Sequence, residues 1–145
     1  MSSFNQELVV LLVEDNAADA FLVREAIREQ GLPFELHVVS DGEKALRFFD
    51  QMDASDKMPC PNFLLLDLNL PRVGGDEVLA RVKKSSKCSG IPVVVLTSSD
   101  SPVDRARAIR LGANEYFLKP CSLEGFMELG QVINRLWREK WSSPA

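Results

Sequence analysis

Five short apolar runs, at 8–13, 34–39, 63–68, 92–97 and 115–118, punctuate this 145-residue chain, and stretches with helical spacing separate them. Three of the runs are nearly unbroken in Val, Leu and Ile, the pattern of strands covered on both faces of a parallel sheet. Residues 34–39 (FELHVV) alternate more and so belong nearer an edge. The intervening segments carry their apolar residues on one helical face: Ala20, Val23, Ala26 and Ile27 in 19–30, then Ala45, Leu46 and Phe49 in 41–52, then Val78, Leu79 and Val82 in 75–84. Gly31 stops the first helix and Gly112 the fourth, which spans 101–111 with Pro102 suited to the first helical position. Ser122 is placed to cap a last helix running to about Trp141.

Strands alternating with helices five times imply βαβ units with right-handed crossovers. The expected fold is therefore a three-layer, doubly wound α/β domain built on a five-stranded parallel sheet. One domain accounts for residues 1–145, with a core at about 7–140 and a frayed tail at 142–145. Residues 51–62 read as a surface loop before the third strand.

Composition narrows the function classes. With 46% hydrophobic and 26% charged residues the chain suits one sizeable core, and a formal net charge of −4 argues against direct nucleic-acid binding. No apolar run approaches the roughly 20 residues of a membrane span, and residues 1–7 lack the basic start of a signal peptide. Cys60, Cys88 and Cys121 are odd in number and widely spaced, so reduced thiols and a cytoplasmic location are expected. His37 stands alone and forms no metal-ligand motif.

Ligands of open α/β sheets sit outside the carboxyl ends of the strands. There the sequence places Glu14-Asp15 after the first run, Asp67 in the third, Thr97-Ser98-Ser99 at the fourth and Lys119-Pro120 after the fifth. Three carboxylates in one pocket either raise a pKa or bind a cation, and Mg²⁺ accepts one or two carboxylates alongside water and phosphate oxygens. A carboxylate beside Mg²⁺ can attack phosphorus, with Lys119 and the Thr97 hydroxyl stabilising the equatorial oxygens. Each residue has a bland reading: helix cap, turn, loop or surface lysine. Those readings would have to coincide at four strand ends.

The segments LLVEDN (11–16), LLDLNLP (65–71), VLTS (95–98) and FLKP (117–120) resemble the four signatures of response-regulator receivers, in order and in register. The steps of 30 residues from Asp67 to Thr97 and 22 from Thr97 to Lys119 are similar to the family's. The resemblance implies a flavodoxin- and CheY-like strand order of 2-1-3-4-5 and a phospho-accepting role in two-component signal transduction. It implies Asp67 as phospho-acceptor, with Thr97 and Lys119 binding the phosphoryl group. It also implies a Mg²⁺ site made by Asp15, Asp67, the Asn69 main-chain carbonyl and, through water, Glu14. Thr97 and Tyr116 would form the switch pair. The Lys119–Pro120 peptide is usually cis in this family, and Gly74-Gly75 fits the turn after the phosphorylation loop.

The donor implied is a histidine kinase. The longer loop, the start at Glu14–Asp19 and the lack of an output domain resemble phytochrome-linked single-domain regulators, so a phytochrome-type photoreceptor kinase is the expected partner. The chain is expected to catalyse only its own phosphorylation and dephosphorylation. Two rivals are a receiver-like interaction module that is never phosphorylated and a Mg²⁺-dependent phosphatase of the haloacid dehalogenase type. The second expects an Asp-x-Asp after the first strand, where this chain has Glu14-Asp15-Asn16.

Two surface features remain. Arg81, Lys83, Lys84 and Lys87 read as a solvated helix face. In the last helix Phe126, Leu129, Ile133, Leu136 and Trp137 form an apolar stripe, with Trp141 a turn further on. Two Trp exceed what a short strand can cover, so the face of the fourth helix, fifth strand and fifth helix is expected to bind a partner or a second copy.

Overall fold

A computed structural model describes residues 7–70 and 72–141, the last without its side chain. Pro71, the tail at 142–145, residues 1–6 and the Trp141 indole therefore lie outside the described residues. The elements alternate as β1 (Leu8–Val13), α1 (Ala17–Arg28), β2 (Phe34–Val39), α2 (Gly42–Ala54), β3 (Phe63–Leu66), α3 (Gly75–Lys83), β4 (Val93–Thr97), α4 (Pro102–Arg110), β5 (Glu115–Leu118) and α5 (Leu123–Trp141). All strand pairs are parallel and the order is β2-β1-β3-β4-β5, as expected.

The two faces of the sheet separate by parity along the central strands. Leu11, Val13, Leu64, Leu66, Val93 and Val95 pack under α2 and α3 with Phe49, Val78, Leu79 and Val82. Leu8, Val10, Leu12, Phe63, Leu65, Val94 and Leu96 pack on the other face against Val23, Ala26, Ile27, Phe126, Leu129 and Ile133 of α1 and α5. β3 and β4 are buried along their whole length, and β2, an edge strand, alternates between half-buried and exposed over most of its length.

Local signals set the helix ends. Asn16 Oδ1 accepts from Asp19 N at 3.0 Å, so α1 begins two residues before the expected start. Ser101 Oγ caps α4 with Pro102 in its first turn, and Ser122 Oγ accepts from Gly125 N at 3.1 Å at the head of α5. Gly31 (φ 74°) and Gly112 (φ 111°) take the left-handed conformation that ends α1 and α4.

Four expectations are corrected. α2 continues to Ala54, so the loop before β3 is shorter than residues 51–62. Cys60 and Cys88 are not free thiols: they form a disulfide with Cα atoms 5.7 Å apart, because the loop before β3 folds against the α3–β4 connection. Cys121 is the free, exposed cysteine among the described residues. The Arg81 cluster is not simply solvated, since Arg81 binds Asp50 and Asp53, and Lys87 Nζ reaches the carbonyls of Ser55 (2.6 Å) and Met58 (2.8 Å). Finally, Trp137 is buried rather than displayed, its ring centroid 6.5 Å from that of Phe63, because α5 lies over β3 and α1.

Candidate functional site

The parallel ladders run one residue past the strands and draw the site together. Glu14 N donates to Val39 O at 3.0 Å, Asp67 N to Val13 O at 3.2 Å and Lys119 N to Thr97 O at 2.7 Å. With Ser98 after β4, residues from four strand ends reach a cleft lined by Asp15, Asn16, Asp19, Asp67, Asn69, Ser98, Lys119, Pro120 and Cys121. Gly75 makes the approach possible: a Cβ there would stand 2.5 Å from the Asp67 carbonyl oxygen and 2.7 Å from Leu68 Cα. With that space open, Gly75 N donates to Leu68 O and ties the loop after β3 to the head of α3.

Lys119 is the hub of the charges. Its Nζ lies 3.0 Å from Asp67 Oδ2, 2.8 Å from Asp19 Oδ2 and 2.9 Å from Glu14 Oε1. Burial disfavours its charge, but hydrogen bonds to Asp19, Glu14 and Asp67 outweigh that cost and hold its pKa above the ordinary lysine value. Glu14 is shifted too. Burial pushes its pKa up to about 7, and the nearby Asp67 charge adds to this, against the lowering influence of Lys119 and the Asn16 N–H.

One ammonium does not balance the acids around it. One carboxylate oxygen from each of Glu14, Asp15 and Asp67 lies within 4.8 Å of the others. Glu14 Oε1 is buried and, although close to Lys119 Nζ, receives no directed hydrogen bond. A hard divalent cation such as Mg²⁺ fits this donor set, since it takes carboxylate oxygens and relieves their repulsion.

The hydroxyl and aromatic residues named from sequence also sit around the cleft. Thr97 is buried, and its Oγ1 accepts from Ser99 N at 3.3 Å and from Asn69 Nδ2 at 3.4 Å. Asp67 Oδ1 accepts from Asn69 N at 3.0 Å. Tyr116 points toward α4, donating from its hydroxyl to Ser99 O at 2.8 Å with the Arg105 guanidinium 4.9 Å from its ring centroid. No peptide among the described residues is cis, so the Lys119–Pro120 bond departs from the expectation, and the Lys119–Thr97 strand hydrogen bond positions the ammonium.

Asp19 was not expected at the site. It occupies the first turn of α1, where an acid reads as a favourable partner of the helix dipole, yet the turn aims it back at Lys119. An acid four residues beyond Asp15, behind an Asn cap, was the available signal.

Comparison with known proteins gives a family and a fold. The sequence model of the response regulator receiver domain matches residues 10–130. The chain is 39% identical over 141 residues to response regulator Rcp1 of Synechocystis sp., covering 97% of this chain and 96% of that protein. The crystal structure of the Mn²⁺-bound form of Rcp1 superposes with a TM-score of 0.79 at 39% identity, covering 94% of this chain and 99% of that one. The phosphorylated cyanobacterial phytochrome response regulator RcpA superposes with a TM-score of 0.80 at 35% identity, covering 97% of each chain.

Proposed function

This chain belongs to the response regulator receiver family, and from that premise we propose that Asp67 is its phospho-acceptor and that Mg²⁺ is its metal. The observation that carries the reading is the meeting of Asp67, Glu14 and Asp15 with a single ammonium, Lys119, at the carboxyl ends of β1, β3 and β5.

Asp67 attacks the phosphorus of a kinase phosphohistidine, forming an O–P bond as the P–N bond breaks and the imidazole leaves. Lys119 pairs with the Asp67 carboxylate before transfer and with a phosphoryl oxygen after it. Asp15, Asp67, Glu14 and the Asn69 main-chain carbonyl would hold Mg²⁺. The ion supplies charge neutralisation of the phosphoryl oxygens when bound. Thr97 exchanges its bonds with Asn69 Nδ2 and Ser99 N for one donated to the phosphoryl group. That movement loosens the Ser99 segment, on which the Tyr116 hydroxyl rests, and Tyr116 turns inward.

The donor is a histidine kinase, as for the family, and similarity to the cyanobacterial phytochrome response regulator RcpA favours a phytochrome-type kinase. The readout surface is the face of α4, β5 and α5. Val103, Ile109, Leu118 and Leu123 are exposed there by 72%, 49%, 42% and 54%, apolar area suited to a second copy or a target protein. A coupling of about 1–3 kcal/mol between the site and this face changes affinity roughly 5- to 150-fold. The chain acts on itself and turns over no separate substrate. Its acidic surplus disfavours nucleic acid as a direct partner, and no helix of the described residues is long and apolar enough to cross a membrane.

The test is intact-protein mass spectrometry after incubation with Mg²⁺ and a small phosphodonor, wild type beside Asp67→Asn. One adduct of a phosphoryl group, dependent on Mg²⁺ and absent from the variant, is expected. No adduct in the wild type turns the reading to an unphosphorylated interaction module, and an adduct in Asp67→Asn moves it to another nucleophile.

A further inference from the structure

Far from the acidic cleft, at the amino ends of the strands, the segment before β3 is fastened to the α3–β4 connection in two independent ways. One is covalent, the Cys60–Cys88 disulfide. The other is polar. Asp53 accepts from Ser85 Oγ at 2.6 Å, Arg81 at 2.8 Å and Lys87 N at 3.2 Å, while Lys87 Nζ binds the carbonyls of Ser55 and Met58 at 2.6 and 2.8 Å. The sheet beyond is separately anchored, because Asn62 N donates to Val9 O and Val9 N to Asn62 Oδ1, both at 2.7 Å. Opening the disulfide therefore removes one of two clasps on the loop and none from the sheet.

The two cysteines differ in burial. Cys88 is fully buried in the core under α2 and α3. Cys60 is only half-buried and lines an apolar cavity with His37, Phe48, Met52, Met58 and Pro61. A thiolate approaching from solvent meets the Cys60 sulfur and leaves Cys88 as the leaving group.

We propose that Cys60–Cys88 is a site of reversible thiol–disulfide exchange with a dithiol reductant, and that its redox state sets the order of the 55–61 loop independently of the acidic cleft. In the forward direction a thiolate of the reductant bonds to Cys60 Sγ as the S–S bond breaks, and Cys88 leaves and takes up a proton. The second thiol of the reductant then resolves the mixed disulfide, releasing Cys60 as a thiol. Two electrons and two protons pass from the dithiol to the protein, and the oxidised dithiol is the product. The reverse sequence closes the clasp.

The experiment equilibrates the full chain in buffers of reduced and oxidised dithiothreitol at varied ratio, quenches with acid, alkylates, and reads thiols and amide hydrogen exchange by mass spectrometry. Cys60 and Cys88 are expected to become alkylatable together at one midpoint, with Cys121 reactive throughout. On reduction, exchange in residues 55–61 rises at least tenfold while β1, β3 and β4 keep their protection. In Cys88→Ser, oxidised glutathione adds once at Cys60. The proposal is overturned if Cys60 alkylates like Cys121 in the most oxidising buffer or if the bond survives the most reducing one. Reduction that unfolds the sheet, or that leaves loop exchange unchanged, overturns it equally.

Discussion

The Lys119 ammonium stands 3.0 Å from Asp67 Oδ2, a contact across 52 residues of sequence in which one cation is shared among three carboxylates. Only 12% of the Lys119 side chain and 6% of that of Asp67 is exposed, so removing the ammonium leaves carboxylate charge stranded away from water. Lys119→Ala is expected to lose about 3–5 kcal/mol in denaturant titrations with chelator present. Much of that returns when Mg²⁺ is added. Equal stability of variant and wild type in chelator argues against Lys119 as the compensating charge.

Glu14 makes stability depend on pH in an unusual direction for an acid. Its folded pKa, about 7, lies above its unfolded value of 4.5, so the folded state binds the proton more tightly. The contribution is complete below pH 4.5 and is lost as pH rises through 7. At about 1.4 kcal/mol per pKa unit, the effect is capped at roughly 3 kcal/mol. Thermal unfolding in chelator should show the midpoint falling between pH 5 and 8, and Glu14→Gln should flatten the curve. Saturating Mg²⁺ should flatten it as well, because the cation replaces the proton.

Asp53 carries the opposite sign. Hydrogen bonds from Ser85 and Arg81 hold its carboxyl well below the ordinary range, so its stabilisation is present above about pH 4 and is lost on acidification. Between pH 5 and 2 the unfolding midpoint of the wild type should fall more steeply than that of Asp53→Asn. Parallel curves would show that the Ser85 and Arg81 contacts carry no weight in solution.

Gly130 of α5 lies against the Ala26 carbonyl of α1, where an added Cβ would overlap the oxygen. Beside it, Asn134 Nδ2 donates to Gln30 Oε1 at 2.8 Å. Gly130→Ala gains helix propensity but must push the helices apart, and a net loss of about 1–3 kcal/mol is expected. A stabilised variant in urea titration would mean that the two helices separate freely.

Tyr116 reports on the switch. Its hydroxyl bond to Ser99 O holds the ring toward α4, and transfer to Asp67 is expected to break that bond. Tyr116→Phe should phosphorylate at a rate within about twofold of wild type. Its partner-binding response should be blunted, by a coupling loss within the usual 1–3 kcal/mol. Binding of a partner or self-association, measured with and without phosphodonor, separates the two effects.

What the sequence determined by itself was whatever depends on short range. Buried strands of β-branched and leucine residues announce themselves over five residues, and caps such as Asn16, Ser101 and Ser122 mark helix heads with a single side chain. The acids at the strand ends were legible because a parallel sheet delivers every carboxyl end to one edge. The destination of a side chain after a helical turn was not. Asp19 reads locally as a dipole partner and becomes a ligand of Lys119 only when α1 packs beside β5's exit. Trp137 reads as an exposed aromatic because a four-residue strand is too small to cover it, and Phe63 of β3 supplies the missing wall. Cys60 and Cys88, 28 residues apart, pair only because α2 and α3 bring two loops into register. Local order follows from backbone and side-chain preferences within a few residues. These three pairings follow from how the layers stack, and stacking is decided by burial summed over the whole chain.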